Sequence, residues 1–398
     1  MAERTKTKVS RTPGLRSLEL FTGAGGLALG LHFAGFRHVA LIDYNRDACR
    51  TIERNAERGT IKGVGDWNVV ASPIQDVSFE KFGDVDVVAG GPPCQPFSIG
   101  GRHRGPEDQR DMIPEFIRAV RVLRPRAFIL ENVRGLLRKS FATYFQYALL
   151  QLSLPTLARR QNETPVDHLA RLEKAQTSGK PFEPRYNLVF RVLNAADHGV
   201  PQKRERIFIV GFRGDTGIEW CFPEASHSDD ALAYTQYVTG EYWERHAVSP
   251  PEEFGCAPRE TSIRLPAGRE PWRTVRDGLV GLPDPRSPRA AMCIPNHVFQ
   301  PGARVYQGHT GSPLDLPAKT LKAGVHGVPG GENMIAFPNG DLRYFSVREA
   351  ARIQTFPDEW EFVGAWSESM RQLGNAVPVE LARVVAAGVA RNLEGSRA

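Results

Sequence analysis

The sequence predicts an α/β fold: a mostly parallel sheet with helices on both faces, joined to a smaller, loop-rich domain. Three observations predict it. From Leu18 onward, short apolar runs alternate with amphipathic stretches, the pattern of repeated βαβ units. A turn of small residues, Gly23-Ala24-Gly25-Gly26, follows the first run, where such folds let a ligand approach the backbone and the amino end of a helix. The alternation stops near residue 216, and proline, glycine and isolated charges dominate to residue 341.

The elements follow in order. Residues 1–13 carry charge but no apolar core, so they are expected to form a basic disordered tail rather than a signal peptide. Leu18-Glu19-Leu20-Phe21 is predicted as a strand, Gly25 to Phe36 as a helix, and Val39 to Ile42 as a second strand. Asn45 is placed to cap a helix running to about Arg58. A buried strand is predicted over 85–89, a helix from Ile113 to Leu123 and a strand from Ala127 to Leu130. Residues 155–185 are polar with helical stretches and are read as an insertion; 186–193 and 206–213 are read as two later strands, in the manner of a hairpin. Order returns at Ser346 with a helix over Val347 to Gln354. A last helix starts at Pro378, a good first-turn residue, with Leu381, Val384, Val385 and Val389 on one stripe. The expected division is a tail at 1–13, a main domain over 14–215, a second domain over 216–341, and a return to the main domain over 342–394.

At 398 residues the chain can bury a full core, and 41% hydrophobic with 24% charged residues is the composition of a globular protein. No apolar run is read as long enough to span a bilayer, so no membrane association is expected. The five cysteines are an odd count without a Cys-x-x-Cys pair, which argues against a disulfide framework or a zinc site and for a reducing compartment. The net charge is +6. Its excess is clustered: Arg102, His103, Arg104 and Arg110; Lys203, Arg204 and Arg206; Arg134, Arg138 and Lys139. Such clusters suit a nucleic-acid partner, and each alone also suits a solvated face.

Gly90-Gly91-Pro92-Pro93-Cys94-Gln95 puts a cysteine at the carboxyl end of the predicted strand 85–89, behind two prolines. Proline restricts its own backbone and that of the preceding residue, so the thiol is expected in a stiff turn at the sheet edge where ligands of open α/β sheets bind. A lone cysteine is more often a buried structural residue, and the proline frame with the motifs downstream reverses that preference. Gly23, Gly25 and Ala28 fit the G-x-G-x-x-A pattern of nucleotide-binding turns. Asp43 ends the second strand, where an acid can accept bonds from ribose hydroxyls; Tyr44 could stack on a purine and Asp76 could receive an adenine amino group. Helix caps and exposed loop carboxylates are the bland alternatives. Glu131 lies about one βαβ unit beyond Cys94 and is expected at the same sheet edge. A thiol and a carboxyl in one cleft suit covalent addition with proton transfer. Alternation along the strand that begins near Arg206 is expected to place Arg204 and Arg206 on one face, where the pair could fix a carbonyl or phosphate.

With these motifs in one order, the chain closely resembles the DNA (cytosine-5) methyltransferases. The matching segments are Phe21 to Gly26, Pro92-Pro93-Cys94-Gln95, Glu131-Asn132-Val133, Gln202 to Arg206, Arg348-Glu349-Ala350-Ala351-Arg352 and Gly374-Asn375-Ala376-Val377-Pro378. The resemblance covers about 15–215 and 343–394, and 216–341 stands in the place of the family's target recognition domain. It implies a Rossmann-like sheet that binds S-adenosyl-L-methionine, releasing S-adenosyl-L-homocysteine, with no metal. It implies Cys94 as nucleophile, Glu131 at the base's N3, Arg206 at its O2 and Arg204 in support. It implies cofactor contacts from Phe21, Gly23, Ala24, Gly25, Gly26, Asp43, Tyr44, Asp76, Val77, Pro93, Ile113, Asn375 and Ala376. Gln95, Ser98, Arg102, Arg110 and Thr320 are implied at the DNA. Asp43 stands where the family more often has Glu, and Tyr44 where tryptophan is common.

The resemblance further implies double-stranded DNA as substrate, a monomer, a cytoplasmic enzyme associated with the nucleoid through DNA, and a cognate restriction endonuclease acting separately. Three other readings bear on the same residues. A NAD-dependent oxidoreductase would use the glycine turn but leaves Pro-Cys-Gln and Glu-Asn-Val unexplained. A transfer-RNA cytosine-5 methyltransferase shares the catalytic motifs, but its Cys-Phe-Thr is absent, Cys221-Phe222 being followed by Pro223. A silent DNA-binding protein has no use for an intact nucleophile motif.

Overall fold

The computed structural model describes residues 14–93, 111–179, 182–250, 268–304, 310–323 and 333–396. Its centre is a seven-stranded sheet. The first five strands are β1 (Arg16–Leu20), β2 (Arg37–Asp43), β3 (Val69–Ala71), β4 (Val87–Gly90) and β5 (Ala127–Val133). With β6 (Tyr186–Asn194) and β7 (Glu205–Arg213) they are arranged β3-β2-β1-β4-β5-β7-β6. Every pair among β1–β5 is parallel, whereas β7 runs antiparallel to both β5 and β6. The hairpin expected from 186–213 is therefore present, and it closes one edge of the sheet.

The intervening helices are α1 (Gly26–Phe33), α2 (Arg46–Arg58), α3 (Ile113–Leu123), α4 (Ala142–Ser153) and α5 (Pro165–Thr177). Asn45 caps α2 as its sequence position indicates, its side chain accepting from the Ala48 amide at 2.9 Å. Alternation along the buried strands supplies two cores. Leu18, Leu20, Val88, Phe128 and Leu130 pack with α3 and α4 residues such as Phe116, Val120 and Phe145. Val87, Ala89, Ala127, Ile129 and Val210 pack with Leu27 and Leu31 of α1 and with Leu381, Val385 and Val389 of the last helix.

That last helix, α12, comes after β8 (His227–Ser228), α6 (Asp229–Ala233), α7 (Glu241–His246), β9 (Glu270–Pro271), α8 (Val275–Leu279) and α9 (Pro288–Cys293). They lead to β10 (Ser312–Pro313), β11 (Met334–Ala336), β12 (Leu342–Tyr344), α10 (Val347–Ile353), α11 (Trp366–Asn375) and α12 (Val379–Gly395) itself. Helix α12 lies directly on α1: a Cβ at Gly30 would stand 2.3 Å from the Ala382 Cβ, so only glycine permits this approach. The segment 366–395 is long and apolar enough to cross a bilayer by composition, contrary to the sequence expectation, but it is mostly buried in the protein.

The expected border at 341/342 falls inside an antiparallel pair, because Met334 of β11 faces Tyr344 of β12. A third core crosses the same border, joining Val275, Ala318, Leu321 and Ile335 to Phe345, Trp360, Leu41 and Trp67. The insertion contributes a small satellite core of Leu154, Leu172 and Ala175 between α4 and α5.

Candidate active site

The sheet changes direction of winding between β1 and β4, with β2 and β3 on one side and β5 on the other. In an open α/β sheet this crevice, at the carboxyl ends of the strands, is the place for a ligand. Among the described residues, the turn after β1, the end of β2 and the ends of β4 and β5 stand at this edge.

The turn after β1 is built by unusual backbone conformations. Phe21, Gly23 and Gly25 have φ of 58°, 56° and 90°, the left-handed region that glycine tolerates and other residues resist. Gly25 also has no space for a side chain, since a Cβ would lie 3.1 Å from the Trp360 ring. At Gly26 a Cβ would come within 2.3 Å of the Val377 carbonyl oxygen. The segment Ala376-Val377 thus rests against the glycine turn. Asp43 pins the same turn from β2: one carboxyl oxygen accepts from the Gly23 amide at 2.7 Å and the other from the Asn45 amide at 2.8 Å. Burial raises the Asp43 carboxyl pKa, and those amides oppose the rise. A carboxylate offers about four lone-pair sites, so acceptor capacity remains for a ligand. Tyr44 beside it is 65% exposed.

The other expected cofactor residues are placed differently. Asp76 and Asn375 are exposed, whereas Val77, Ile113 and Ala376 are buried. Val77 and Ile74 offer their carbonyls to the Arg118 guanidinium at 3.0 and 2.7 Å, which holds the Asp76 turn against α3.

The β4 and β5 ends form the second half. The strand β5 continues through Glu131, Asn132 and Val133 because β7 pairs along its whole length, Val133 opposite Arg206. This brings the Arg206 guanidinium to the Glu131 carboxylate at 3.0 Å. Both are largely withdrawn from solvent, so the ion pair is weakly screened. Burial pushes the Glu131 pKa upward, while Arg206 and then Arg204 pull it down. Opposite stands Gly91, where a Cβ would sit 2.9 Å from Glu131 Oε2. Asn132 donates to the Pro92 carbonyl at 3.3 Å, tying the two strand ends together. Described chain reaches Pro93 at this edge. Cys94, Gln95, Ser98, Arg102 and Arg110 lie outside the described residues.

Arg204 lies just before β7. It is fully buried, and its guanidinium donates to the carbonyls of Leu321 at 2.9 Å, Gly374 at 2.7 Å and Ala376 at 2.9 Å. It precedes β7, so strand alternation does not pair it with Arg206; its donors serve the main chain of two distant segments. Thr320 is in the same neighbourhood, its hydroxyl donating to the Lys203 carbonyl at 2.7 Å. Sequence reasoning gave no individual role to Asn132 or to Gln202, whose Oε1 accepts from the Leu321 amide at 3.1 Å, although both stand inside the motifs named above.

Comparisons with known proteins bear on the family and the fold. Residues 15–154, 174–249 and 303–391 match the family described as C-5 cytosine-specific DNA methylase. The chain is similar to the Type II methyltransferase M.Eco47II of Escherichia coli, 33% identical over 95% of this chain and 79% of that protein. It is also similar to the Type II methyltransferase M.AplI of Arthrospira platensis, 31% identical over 95% and 86% respectively. Among solved structures, the fold resembles a DNA modification methyltransferase encoded in an E. coli prophage, with a TM-score of 0.57 and 20% identity over 96% of this chain and 99% of that one.

Proposed function

Taking as premise that the chain belongs to the C-5 cytosine-specific DNA methylases of the Type II restriction-modification kind, we propose that it methylates a flipped-out cytosine within a specific duplex site through a covalent Cys94 adduct. The observation that carries this reading is the buried Glu131–Arg206 pair, held at the sheet edge beside Gly91 and Pro92, two residues before the cysteine.

The target base has to leave the duplex, since its ring is inaccessible within the stack. Cys94 adds as thiolate to carbon 6. Glu131 holds a proton at N3 as the ring accepts electron density. Burial already favours the protonated carboxyl, and Arg206 opposes it; a base carbonyl that draws Arg206 onto O2 weakens that opposition. Cys94 leaves again when carbon 5 gives up its proton.

The residues at the glycine turn fit S-adenosylmethionine. Side-chain-free backbone lines the turn at Gly23 and Gly25, Asp43 retains acceptor capacity at the end of β2, and Tyr44 presents an exposed ring. When bound, this group supplies the electrophilic methyl. Phe21, Ala24, Gly26, Asp76, Val77, Pro93, Ile113, Asn375 and Ala376 complete the proposed surround. The remainder of the reading is a cytoplasmic monomer with residues 216–341 setting the DNA site and a restriction endonuclease as its functional companion.

The test uses purified protein, labelled S-adenosylmethionine and duplex DNA of mixed sequence, with transfer RNA in a parallel reaction. Mapping should find 5-methylcytosine in one short DNA sequence. Label confined to transfer RNA, or absent from both, refutes the proposal.

A further inference from the structure

Arg204 is a buried charge bonded entirely to main-chain carbonyls in the observed hydrogen bonds. Burial and the nearby Arg206 disfavour its charge, and Glu131 favours it. Taking an ion out of water is costly unless its partners are fixed, so the segments that supply those carbonyls are the significant feature. One is the strip 318–321. Its Ala318 amide donates to the Pro201 carbonyl at 2.9 Å and its carbonyl accepts from the Lys203 amide at 2.8 Å. The Thr320 hydroxyl and the Leu321 amide are tied to Lys203 and Gln202. Asn333 clamps the next residue from both sides, its side chain bonding the Lys322 amide at 3.1 Å and the Lys322 carbonyl at 3.0 Å.

The other segment is the last turn of α11 and its connection to α12. It touches the strip directly: a Cβ at Gly374 would lie 2.3 Å from the Ala323 amide nitrogen. It also touches the glycine turn, through Val377 against Gly26. A continuous line of contacts therefore runs from the glycine turn, through 374–377 and the Arg204 fork, to the strip that carries Thr320.

We propose that Arg204 is a positioning residue that couples cofactor binding at the glycine turn to DNA binding at the 318–323 strip. The proposal rests on the methyltransferase reading above. Each ligand orders its own segment, and the three-carbonyl fork makes order in one favour order in the other. Linkage requires the effect to be reciprocal: DNA tightens the cofactor site by the same factor as the cofactor tightens the DNA site.

The experiment measures the dissociation constant of S-adenosylhomocysteine with and without a duplex carrying the mapped site, and of the duplex with and without S-adenosylhomocysteine. The wild-type protein should show one factor of at least about fivefold in both directions. Arg204→Lys keeps a charge but loses the planar fork, and the factor should fall below about twofold. Asn333→Ala frees the strip without touching Arg204 and should lower the factor as well. It decides the matter if Arg204→Lys does not fold. Two folded variants with the wild-type factor, or a wild-type factor of one, overturn the coupling while leaving the methyltransferase reading intact. Failure of the wild-type protein to bind either ligand overturns both.

Discussion

Glu19 offers a prediction whose size follows from its surroundings. It lies in the middle of β1, paired with Leu41 and Ala89, and has no solvent exposure. Neither carboxyl oxygen has a hydrogen-bond partner among the described residues. Burial pushes its pKa well above the ordinary value, the Ala28 backbone opposing and Asp43 reinforcing. The folded protein therefore retains a proton that the unfolded chain releases near pH 4.3. The unfolded state binds fewer protons over the interval between the two pKa values, so stability falls as pH rises through it, by about 1.4 kcal/mol per pH unit for one group. Glu19→Gln removes this term. Urea unfolding of both proteins, followed by tryptophan fluorescence at pH 5, 6, 7 and 8, reports it, because titrating groups not coupled to Glu19 cancel in the difference; Asp43, which is coupled to it, shifts along with it. The variant should gain on the wild type with each step in pH until the folded pKa is passed. A difference that stays constant from pH 5 to 8 would refute the assignment of a buried proton to Glu19.

Cys94→Ala should abolish methyl transfer while S-adenosylhomocysteine and DNA still bind, measured by filter binding alongside label incorporation. DNA bearing 5-fluorocytosine at the target should trap the wild-type enzyme as an adduct mapped by mass to Cys94, and only when S-adenosylmethionine is present. Glu131→Gln should slow single-turnover methylation by roughly 10²–10⁴; a near-wild-type rate would leave Glu131 as a structural partner of Arg206. At Gly91 an alanine Cβ would intrude on Glu131 at 2.9 Å, so Gly91→Ala should depress kcat with little change in the melting temperature, and a normal kcat would count against the placement of that carboxylate.

Local signals carried much of the reading. Asn45, the α3 boundaries and the glycine turn are set within a few residues by capping, apolar spacing and permitted φ. Other features depend on distant chain. Strand β5 runs past Leu130 because β7 pairs with Glu131, Asn132 and Val133, and nothing near those residues announces that pairing. Helix α11 is rich in polar residues and is held by Met370 and Leu373 in the third core. The three-residue β3 is too short to show a period. Arg204 and Arg206 look like a matched pair in sequence, yet Arg204 precedes the strand and finds carbonyls that lie 117 to 172 residues away. Composition changes near 341/342, while the β11–β12 ladder and the third core run across that point.

The close seating of α12 on α1 makes the sheet depend on chain that is distant from it in sequence. All seven strands of the central sheet come from the part of the chain before α7, while α12, from its far end, covers one face of that sheet. The extremities of the polypeptide therefore grip each other through complementary surfaces, with Gly30 admitting Ala382 at backbone distance. Loss of α12 would therefore strip one face of the sheet far from the cut, leaving Leu27, Leu31, Val87 and Ile129 without the cover that Leu381, Val385 and Val389 give them.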